Sequence, residues 1–355
     1  MTGHFTDSRS TLPAPATPAR AHPARSRDLR PRRKANTKVI AIGDPGQLAS
    51  VQAGGWFAEV ARRHPGAQLR QVIRQRDPPE RAALEALHDG HPDVHLEHKR
   101  AATTIQASEA DAVADLVSQW NAARQAHGIT GAVMLARDNQ TREQLNHAAR
   151  QRLKRGRALP ERGVQVADRE FAPGDRIVAR RNHPGADIDN GTLATVLAID
   201  DRTHRMIIDT GHGQHRELDL AYVAQHVEPA YALTAHSAQG STVSWAGVVG
   251  RPHEFTREWA YTALSRARRE TTLHVIAEPS RESRARQAFA PLEPNLAREE
   301  VLIALERHMR RSEREPLALD DCALRDPLGA RTVTAPIRLS HSPLSTSLHG
   351  PTVHR

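Results

Sequence analysis

Apolar residues along the middle of the chain recur in the two periods that distinguish helices from strands. The clearest helix begins at Ser108, whose hydroxyl suits an N-cap, and Gly128 can end it. Its apolar face has the spacing i, i+3, i+4, i+7 and consists of Val113, Leu116, Val117 and Trp120. Short apolar runs bounded by polar or turn-forming residues instead predict buried strands, at Lys38–Ile42 and Ala132–Leu135.

Helices and strands alternate along most of the chain. Further helices are predicted at 55–63, 79–88 and 141–154, and near 256–268. Further strands are predicted within 231–241 and at 243–249 and 273–277. This alternation predicts an α/β sheet domain.

Residues 171–228 have a different pattern. Short strands are predicted at 176–179, 192–199, 206–208 and 218–223, and turn-forming residues such as Asp189–Gly191 and Gly211–Gly213 separate them. This spacing predicts a small antiparallel β-barrel inserted into the α/β domain.

Composition and charge change this picture mainly at the termini. The net charge of +9 suggests nucleic-acid binding. However, residues 1–36 hold eight cations against Asp7 and Asp28, and residues 317–355 add +1, which leaves the middle near +2. Both ends lack apolar periodicity and are predicted to be disordered. Any DNA groove in the core therefore requires local placement of charge.

Cellular context follows from what the sequence lacks. No apolar run is long enough to span a membrane, and no secretory signal is visible in the first 36 residues. The single cysteine, Cys322, excludes an internal disulfide and a multi-cysteine metal site. We expect a cytoplasmic bacterial protein with no membrane partner.

Two motifs lie in the first third of the ordered region. The stretch 39–55 reads VIAIGDPGQLASVQAGG, and it resembles motif III of superfamily 1 DNA helicases of the RecD and conjugative relaxase-helicase type (TraA, TraI, TrwC). The resemblance places Gly43 and Asp44 beside ATP and makes Gln47 a sensor of its γ-phosphate. The stretch 69–77, LRQVIRQRD, resembles motif IV, in which Arg74 contacts the γ-phosphate through its planar fork.

Two further motifs follow in the family's order. The stretch 231–242, YALTAHSAQGST, resembles motif V. By resemblance Gln239 and Gly240 approach the nucleotide, and the residues that face single-stranded DNA are Thr234, His236 and Ser237. The stretch 258–268, EWAYTALSRAR, resembles motif VI, in which Arg266 is an arginine finger for ATP hydrolysis. Tyr261 and Leu264 are predicted to be packing residues.

The resemblance covers about residues 37–278 and implies a second RecA-like lobe carrying the inserted barrel, plus a remnant of the first lobe. It implies ATP, Mg²⁺ and single-stranded DNA as ligands. The expected organisation is a basic tail (1–36), a first-lobe remnant (37–100), the second lobe (101–170 and 229–280) around the barrel (171–228), a helical extension (281–316) and a second tail (317–355).

The phosphate-cradling loop of these motors is missing from the sequence. No G-x-x-x-x-G-K-[ST] string occurs, and nothing before residue 39 resembles the strand ending in Asp-Glu that helps to hold Mg²⁺. We therefore expect that the chain cannot hydrolyse ATP alone and begins at the last strand of the first lobe. Apolar surface near Val39–Ile42 is then expected to be exposed. A separately encoded N-terminal half is one source of the missing parts, and we expect a plasmid or mobile element to encode the chain.

Other interpretations stay open at this point. The chain is either part of an ATP-driven translocase, a non-enzymatic binding module for single-stranded DNA, or a decayed fragment without function. Four histidines lie close together in the sequence: His88, His91, His95 and His98. Pro92 prevents them from sharing one helix face, so a metal site is disfavoured and we expect solvated side chains. His212 and His215 lie in a predicted turn, and a catalytic role for Cys322 is equally disfavoured.

Overall fold

The computed structural model describes residues 42–49, 56–63, 66, 72–211, 213–277 and 294–313. The two predicted tails and Cys322 lie outside these residues, as does the predicted strand Lys38–Ile42 except for its last residue. Ile42 itself belongs to no strand, and 85% of it is exposed.

Five parallel strands form the centre of the molecule. Their order across the sheet is β1 (Thr103–Gln106), β12 (Ala267–Ile276), β11 (Val243–Gly250), β2 (Ala132–Ala136) and β10 (Ala232–Thr234). The predicted α/β class is confirmed. The final strand begins earlier than predicted, because its charged first residues pair with the edge of β11 from Val243 onward.

One face of the sheet is covered by α4 (Glu109–His127) and α5 (Asn139–Arg155). Ser108 caps α4 as predicted, by accepting a hydrogen bond from the backbone N–H of Asp111. Asp138 caps α5 through the N–H of Thr141 at 2.8 Å. Trp120, which is fully buried, lies in the core beneath these helices.

The opposite face is covered by α2 (Pro78–Asp89), α3 (Pro92–Lys99), α7 (Arg257–Leu264) and α8 (Pro294–Met309). Leu84, Leu87 and Leu96 share one core with Trp259 and Leu305. The helices of residues 78–99 therefore pack as part of the same body as the parallel sheet. The remaining described helix, α1, spans Trp56–Arg63.

The insertion between α5 and β10 starts with a hairpin, β3 (Val164–Val166) and β4 (Arg169–Phe171). A five-stranded antiparallel sheet follows, composed of β5 (Arg176–Ala179), β6 (Leu193–Asp200), β7 (Arg205–Asp209), β8 (His215–Asp219) and β9 (Val227–Pro229). Its strand order is β8-β7-β6-β5-β9. Among the described residues the two edge strands do not pair with each other, so the expected barrel is an open sheet.

The strand predicted at 218–223 is wrong in its second half. Asp219 ends β8 and caps a helix, α6 (Leu220–His226), by accepting a hydrogen bond from the N–H of Ala221 at 2.7 Å. Likewise, the helix predicted near 256–268 ends at Leu264, and β12 begins at Ala267.

A buried carboxylate joins the insertion to the parallel sheet. Asp175 accepts hydrogen bonds from the Arg150 guanidinium of α5 at 3.0 to 3.2 Å, and from the Tyr231 hydroxyl. Burial, and then the charge of Asp175, raise the pKa of Tyr231 far above its usual range. The insertion is thus held to the lobe by the Arg150–Asp175 ion pair and the Tyr231 hydrogen bond, in addition to chain connectivity.

No helix in the described part of the chain is both long and apolar enough to cross a membrane.

Candidate functional site

Two arginines lie together at the amino-terminal edge of β12. Arg266 is fully buried; its Nε donates to the carbonyl oxygen of Thr262 at 2.6 Å and its Nη2 to the hydroxyl of Ser265 at 2.9 Å. Its Nη1 is buried with no hydrogen-bond partner among the described residues. Burial, and then the nearby charge of Arg74, lower the pKa of Arg266 to about 10. A buried cation with an open donor next to a second cation has the chemistry to bind an anion.

Arg74, the residue predicted from motif IV, lies beside Arg266 because residues 74–76 bond to residues 265–268. Arg74 Nη1 donates to the carbonyl oxygen of Ser265 at 2.7 Å. The buried side-chain amide of Gln75 donates to the carbonyl oxygens of Ser265 and Ala267. The backbone N–H of Arg76 donates to the carbonyl oxygen of Arg268. The segment 74–76 therefore lies along 265–268. The sequence analysis missed Gln75, which fixes this arrangement.

Asp44 lies at the same side of the lobe, in contact with His88 of α2. Its carboxylate accepts the N–H of Gly46 at 2.8 Å and the side-chain amide of Gln47 at 2.9 Å, and its Oδ1 is 3.3 Å from His88 Nε2. A Cβ at Gly46 would lie 2.5 Å from the His88 ring, so only glycine permits this approach. His88 also packs edge-on against Tyr261, with ring centroids 4.9 Å apart.

The Asp44–His88 contact is expected to respond to pH. Burial raises the pKa of Asp44, but hydrogen bonds from His88, Gln47 and Gly46 outweigh it and leave the pKa lowered. The hydrogen bond to Asp44 raises the pKa of His88 against the effect of burial. Because the Asp44 pKa is lowered, the contact contributes stability above about pH 4, and this contribution is lost as the pH falls through the folded-state pKa of Asp44. Because the His88 pKa is raised, the contact contributes stability below about pH 6.5, and this contribution is lost as the pH rises through the folded-state pKa of His88.

We therefore expect an NMR titration of the His88 ring to give a midpoint above the unfolded-chain value of about 6.5. In Asp44→Asn the midpoint should fall, because the main group that stabilises the imidazolium loses its charge. His147, an exposed residue of α5, serves as the internal control, and its midpoint should be the same in both proteins. Equal His88 midpoints in both proteins would contradict the contact.

Motifs III and V meet at Gln47. The Gln239 side-chain amide lies 3.5 Å from Gln47 Oε1 and 3.4 Å from the carbonyl oxygen of Leu48. The N–H of Leu48 in turn donates to the buried Thr262 hydroxyl at 3.0 Å. Motifs III, V and VI are thereby joined through short polar contacts. Gly240, at φ +89°, takes the left-handed conformation that glycine favours.

Thr234 and Ser237 lie at the other end of motif V. Their hydroxyl oxygens are 3.0 Å apart, and the N–H of Ser237 donates to Thr234 Oγ1. His236 is in the same turn, where its carbonyl oxygen accepts the N–H of Gln239. Thr234 ends β10 at the carboxyl edge of the sheet, whereas Val243 begins β11 at the amino edge. The segment 235–242 therefore crosses from one edge to the other, over the core that contains Ala235 and Ala238.

An arginine from the insertion also reaches motif V. Arg180, just after β5, donates from Nη1 to Ser237 Oγ at 2.9 Å and from Nε to Glu228 Oε2 at 2.7 Å. Arg142 of α5 donates to the same Glu228 oxygen at 2.8 Å. The sequence analysis missed all three residues; the pair Arg180–Arg181 directly after a strand was the available signal.

The structure thus forms two clusters from the predicted residues. Gln47, Arg74, Gln239 and Arg266 lie on the amino-edge side with Asp44, and Thr234 and Ser237 lie at the carboxyl edge. Gly43 belongs to neither cluster. It is exposed, and a Cβ added to it would lie 2.8 Å from the Phe57 ring. Tyr261 and Leu264 are buried packing residues, as predicted.

Of the four histidines of residues 88–98, only His95 departs from the solvated side chains that the sequence suggested, whereas His91 and His98 are exposed and His88 is partly exposed. His95 is fully buried, and burial lowers its pKa to about 3. His98 pairs with the buried Glu80 at 2.9 Å, and Lys99 pairs with the same carboxylate. Helices α2 and α3 thus turn Glu80, His95 and Lys99 toward the interior. Within the described ranges no three His, Cys, Asp or Glu side chains converge as a metal site would require.

Comparisons with known proteins agree with the family resemblance. A family profile described as "AAA domain" matches residues 27–110. The chain is 29% identical over 257 residues to a probable conjugal transfer protein TraA of Sinorhizobium fredii, covering 69% of this chain and 22% of that protein. It is 32% identical over 243 residues to the ATP-dependent RecD2 DNA helicase of Deinococcus radiodurans, covering 65% of this chain and 32% of the relative.

Among solved structures, the Bacteroides Pif1 helicase bound to single-stranded DNA is similar at 16% identity and a TM-score of 0.43, covering 77% of this chain and 67% of that one. The chain spans about a fifth of the TraA protein and about a third of the RecD2 helicase.

Proposed function

We propose, from the premise that the chain belongs to the superfamily 1 helicases of the RecD and TraA type, that it grips single-stranded DNA and senses the γ-phosphate of ATP. The observation that carries the proposal is the segment 235–242. Within this segment Ser237 contacts Thr234, and two residues later Gln239 contacts Gln47. A ligand that displaces either end is thereby coupled to the other.

The nucleotide half of the proposal rests on Arg266 and Arg74. Two guanidinium groups in a partly dehydrated site suit the three oxygens of a terminal phosphate, because each can donate two parallel hydrogen bonds. The open Nη1 of Arg266 would be satisfied by such an oxygen. Arg266 is then the group that stabilises charge on the transferred phosphoryl group.

The remaining ligands of ATP and Mg²⁺ would come from elsewhere. The printed sequence holds no G-x-x-x-x-G-K-[ST] string, and this chain's own residues Asp44 and Gln47 do not replace the lysine and hydroxyl of that loop. We propose that a separate segment, such as an N-terminal helicase or relaxase half, supplies them. The names of the TraA relatives suggest conjugal transfer as the setting, and we propose that the chain acts there in the bacterial cytoplasm.

The second candidate is a non-enzymatic module that binds single-stranded DNA, and the missing P-loop string favours it. A colorimetric assay of phosphate release separates the enzymatic part from its partner. We expect the 355-residue chain alone, with Mg²⁺, ATP and oligo-dT, to show no sustained turnover.

Addition of the P-loop-bearing half should restore release, and Arg266→Ala should abolish it again by about a thousandfold or more. Sustained turnover by the isolated chain would contradict the first expectation. Failure of a DNA-competent partner half to restore release would favour the binding module.

A further inference from the structure

The insertion places a cation beside the two hydroxyl groups of motif V. Thr234 and Ser237 are uncharged, and the DNA backbone is recognised mainly through cationic donors. Arg180 Nη1 is 2.9 Å from Ser237 Oγ. Its side chain is 23% exposed, so part of it reaches solvent while Nη2 is buried.

The Arg180 guanidinium is fixed in place rather than free to swing. Its Nε donates to Glu228 Oε2, and its own backbone N–H donates to the carbonyl oxygen of His226 at 2.7 Å. The remaining nitrogen, Nη2, is buried and has no hydrogen-bond partner among the described residues. A rigid guanidinium with one donor unused is preorganised for an incoming acceptor.

The local charge balance leaves room for an anion. Glu228 is shared by Arg180 and Arg142, because one of its oxygens accepts from both guanidinium groups. The other acidic partner of Arg142 is Glu143, whose side chain is 71% exposed and therefore screened by water. One half-buried carboxylate thus faces two arginines.

We propose that Arg180 is a DNA-binding residue: its guanidinium, with the Ser237 and Thr234 hydroxyl groups, binds one backbone phosphate of single-stranded DNA, while Glu228 positions the guanidinium. This rests on the proposed function and extends it to the insertion, which then contributes directly to the grip on DNA. The DNA phosphate would replace the Ser237 hydroxyl as an acceptor for the guanidinium, and that hydroxyl would then donate to the phosphate.

The test measures the affinity of the full chain for fluorescein-labelled oligo-dT by anisotropy, from about 50 to about 200 mM salt. In Arg180→Gln we expect binding about tenfold weaker at the lowest salt, and a plot of log affinity against log salt shallower by about 0.7, the value for one lost phosphate contact on a single strand. Arg180→Lys should retain the slope but not the full affinity, because it keeps the charge and loses the fork.

Arg202→Gln is the matched control, since Arg202 is exposed in the turn at the far end of the β6–β7 hairpin. It should leave affinity within about twofold and the slope unchanged. Arg180→Gln is expected to fold, because Glu228 keeps Arg142 as its partner, and a thermal melt checks this.

Three outcomes are informative. Wild-type affinity and slope in Arg180→Gln would overturn the inference and leave the proposed function standing. Absence of wild-type binding to oligo-dT at low salt would overturn both. A lowered melting temperature in Arg180→Gln with an unchanged salt slope would show that Arg180 is only a structural link and would also overturn the inference.

Discussion

Replacing Arg266 by methionine is expected to abolish stabilisation of the protein by inorganic phosphate. In the wild type, phosphate at about 100 times its dissociation constant should add about 2.7 kcal/mol to the free energy of unfolding. A domain of this size then melts several degrees higher. The effect depends on Arg266 because its buried Nη1 is the unsatisfied donor that an anion would satisfy.

The same substitution should change the stability of the phosphate-free protein little. Methionine loses the hydrogen bonds to Thr262 and Ser265, but it also removes a fully buried cation and its repulsion from Arg74. These contributions have opposite signs. Replacing a buried ion by an apolar side chain of similar length is often close to neutral.

The control for Arg266 is Arg269→Met, three residues further along the chain, where Arg269 is exposed on β12. Both variants lose one positive charge, so a general electrostatic effect would appear in both. Melting curves are recorded in phosphate and in chloride at equal ionic strength. A wild-type phosphate response in Arg266→Met, or its loss in Arg269→Met, would show that the anion binds elsewhere.

The sequence predicted the α/β lobe well because its strands are short apolar runs between clear helix caps. Ser108 and Gly128 bound α4 as expected, and β2 extends only one residue beyond the prediction. These signals are local, so they survive without knowledge of the tertiary contacts. The motif order along the chain added the expectation that distant residues such as Arg74 and Arg266 meet.

Features that depend on long-range packing were predicted less well. A strand and a capped helix share similar apolar patterns near Leu218–Val223, and only the Asp219 cap separates them. His95 looked like part of a solvated cluster, but the face of α3 that carries it turns into the core. The open form of the inserted sheet also depends on which edges pair, which the periodicity of single strands does not contain.

In the site, too, local signals were predicted and long-range contacts were not. Residue identities at Gln47, Gln239, Thr234 and Ser237 followed from the motifs, whereas their supports did not. Gln75 and Thr262 hold the segments together through buried hydrogen bonds between positions about 190 and 214 residues apart. Arg180 comes from a different domain segment, so no spacing within motif V indicates it.

The second large effect is expected in the double variant Thr234→Val, Ser237→Ala. It removes both hydroxyl groups at the carboxyl edge while preserving side-chain volume closely. If these groups donate to the DNA backbone, affinity for oligo-dT should fall by about a hundredfold or more, the loss expected for two hydrogen bonds of about 1.5 kcal/mol or more each to a charged acceptor. Thr203→Val, in an exposed turn of the insertion, should bind like the wild type.

Uncharged substitutions make this test distinct from the one on Arg180. The salt dependence of binding should stay as in the wild type, because no cation is lost. Wild-type affinity in the double variant, with a normal melting curve, would remove motif V from the DNA site.

The most direct test of the account is the binding of the wild-type chain to fluorescein-labelled oligo-dT, in competition with unlabelled duplex of the same length. The account predicts saturable binding that weakens steeply with salt and that unlabelled single strands compete away better than duplex does. No binding at low salt, or equal competition by duplex and single strands, would contradict it.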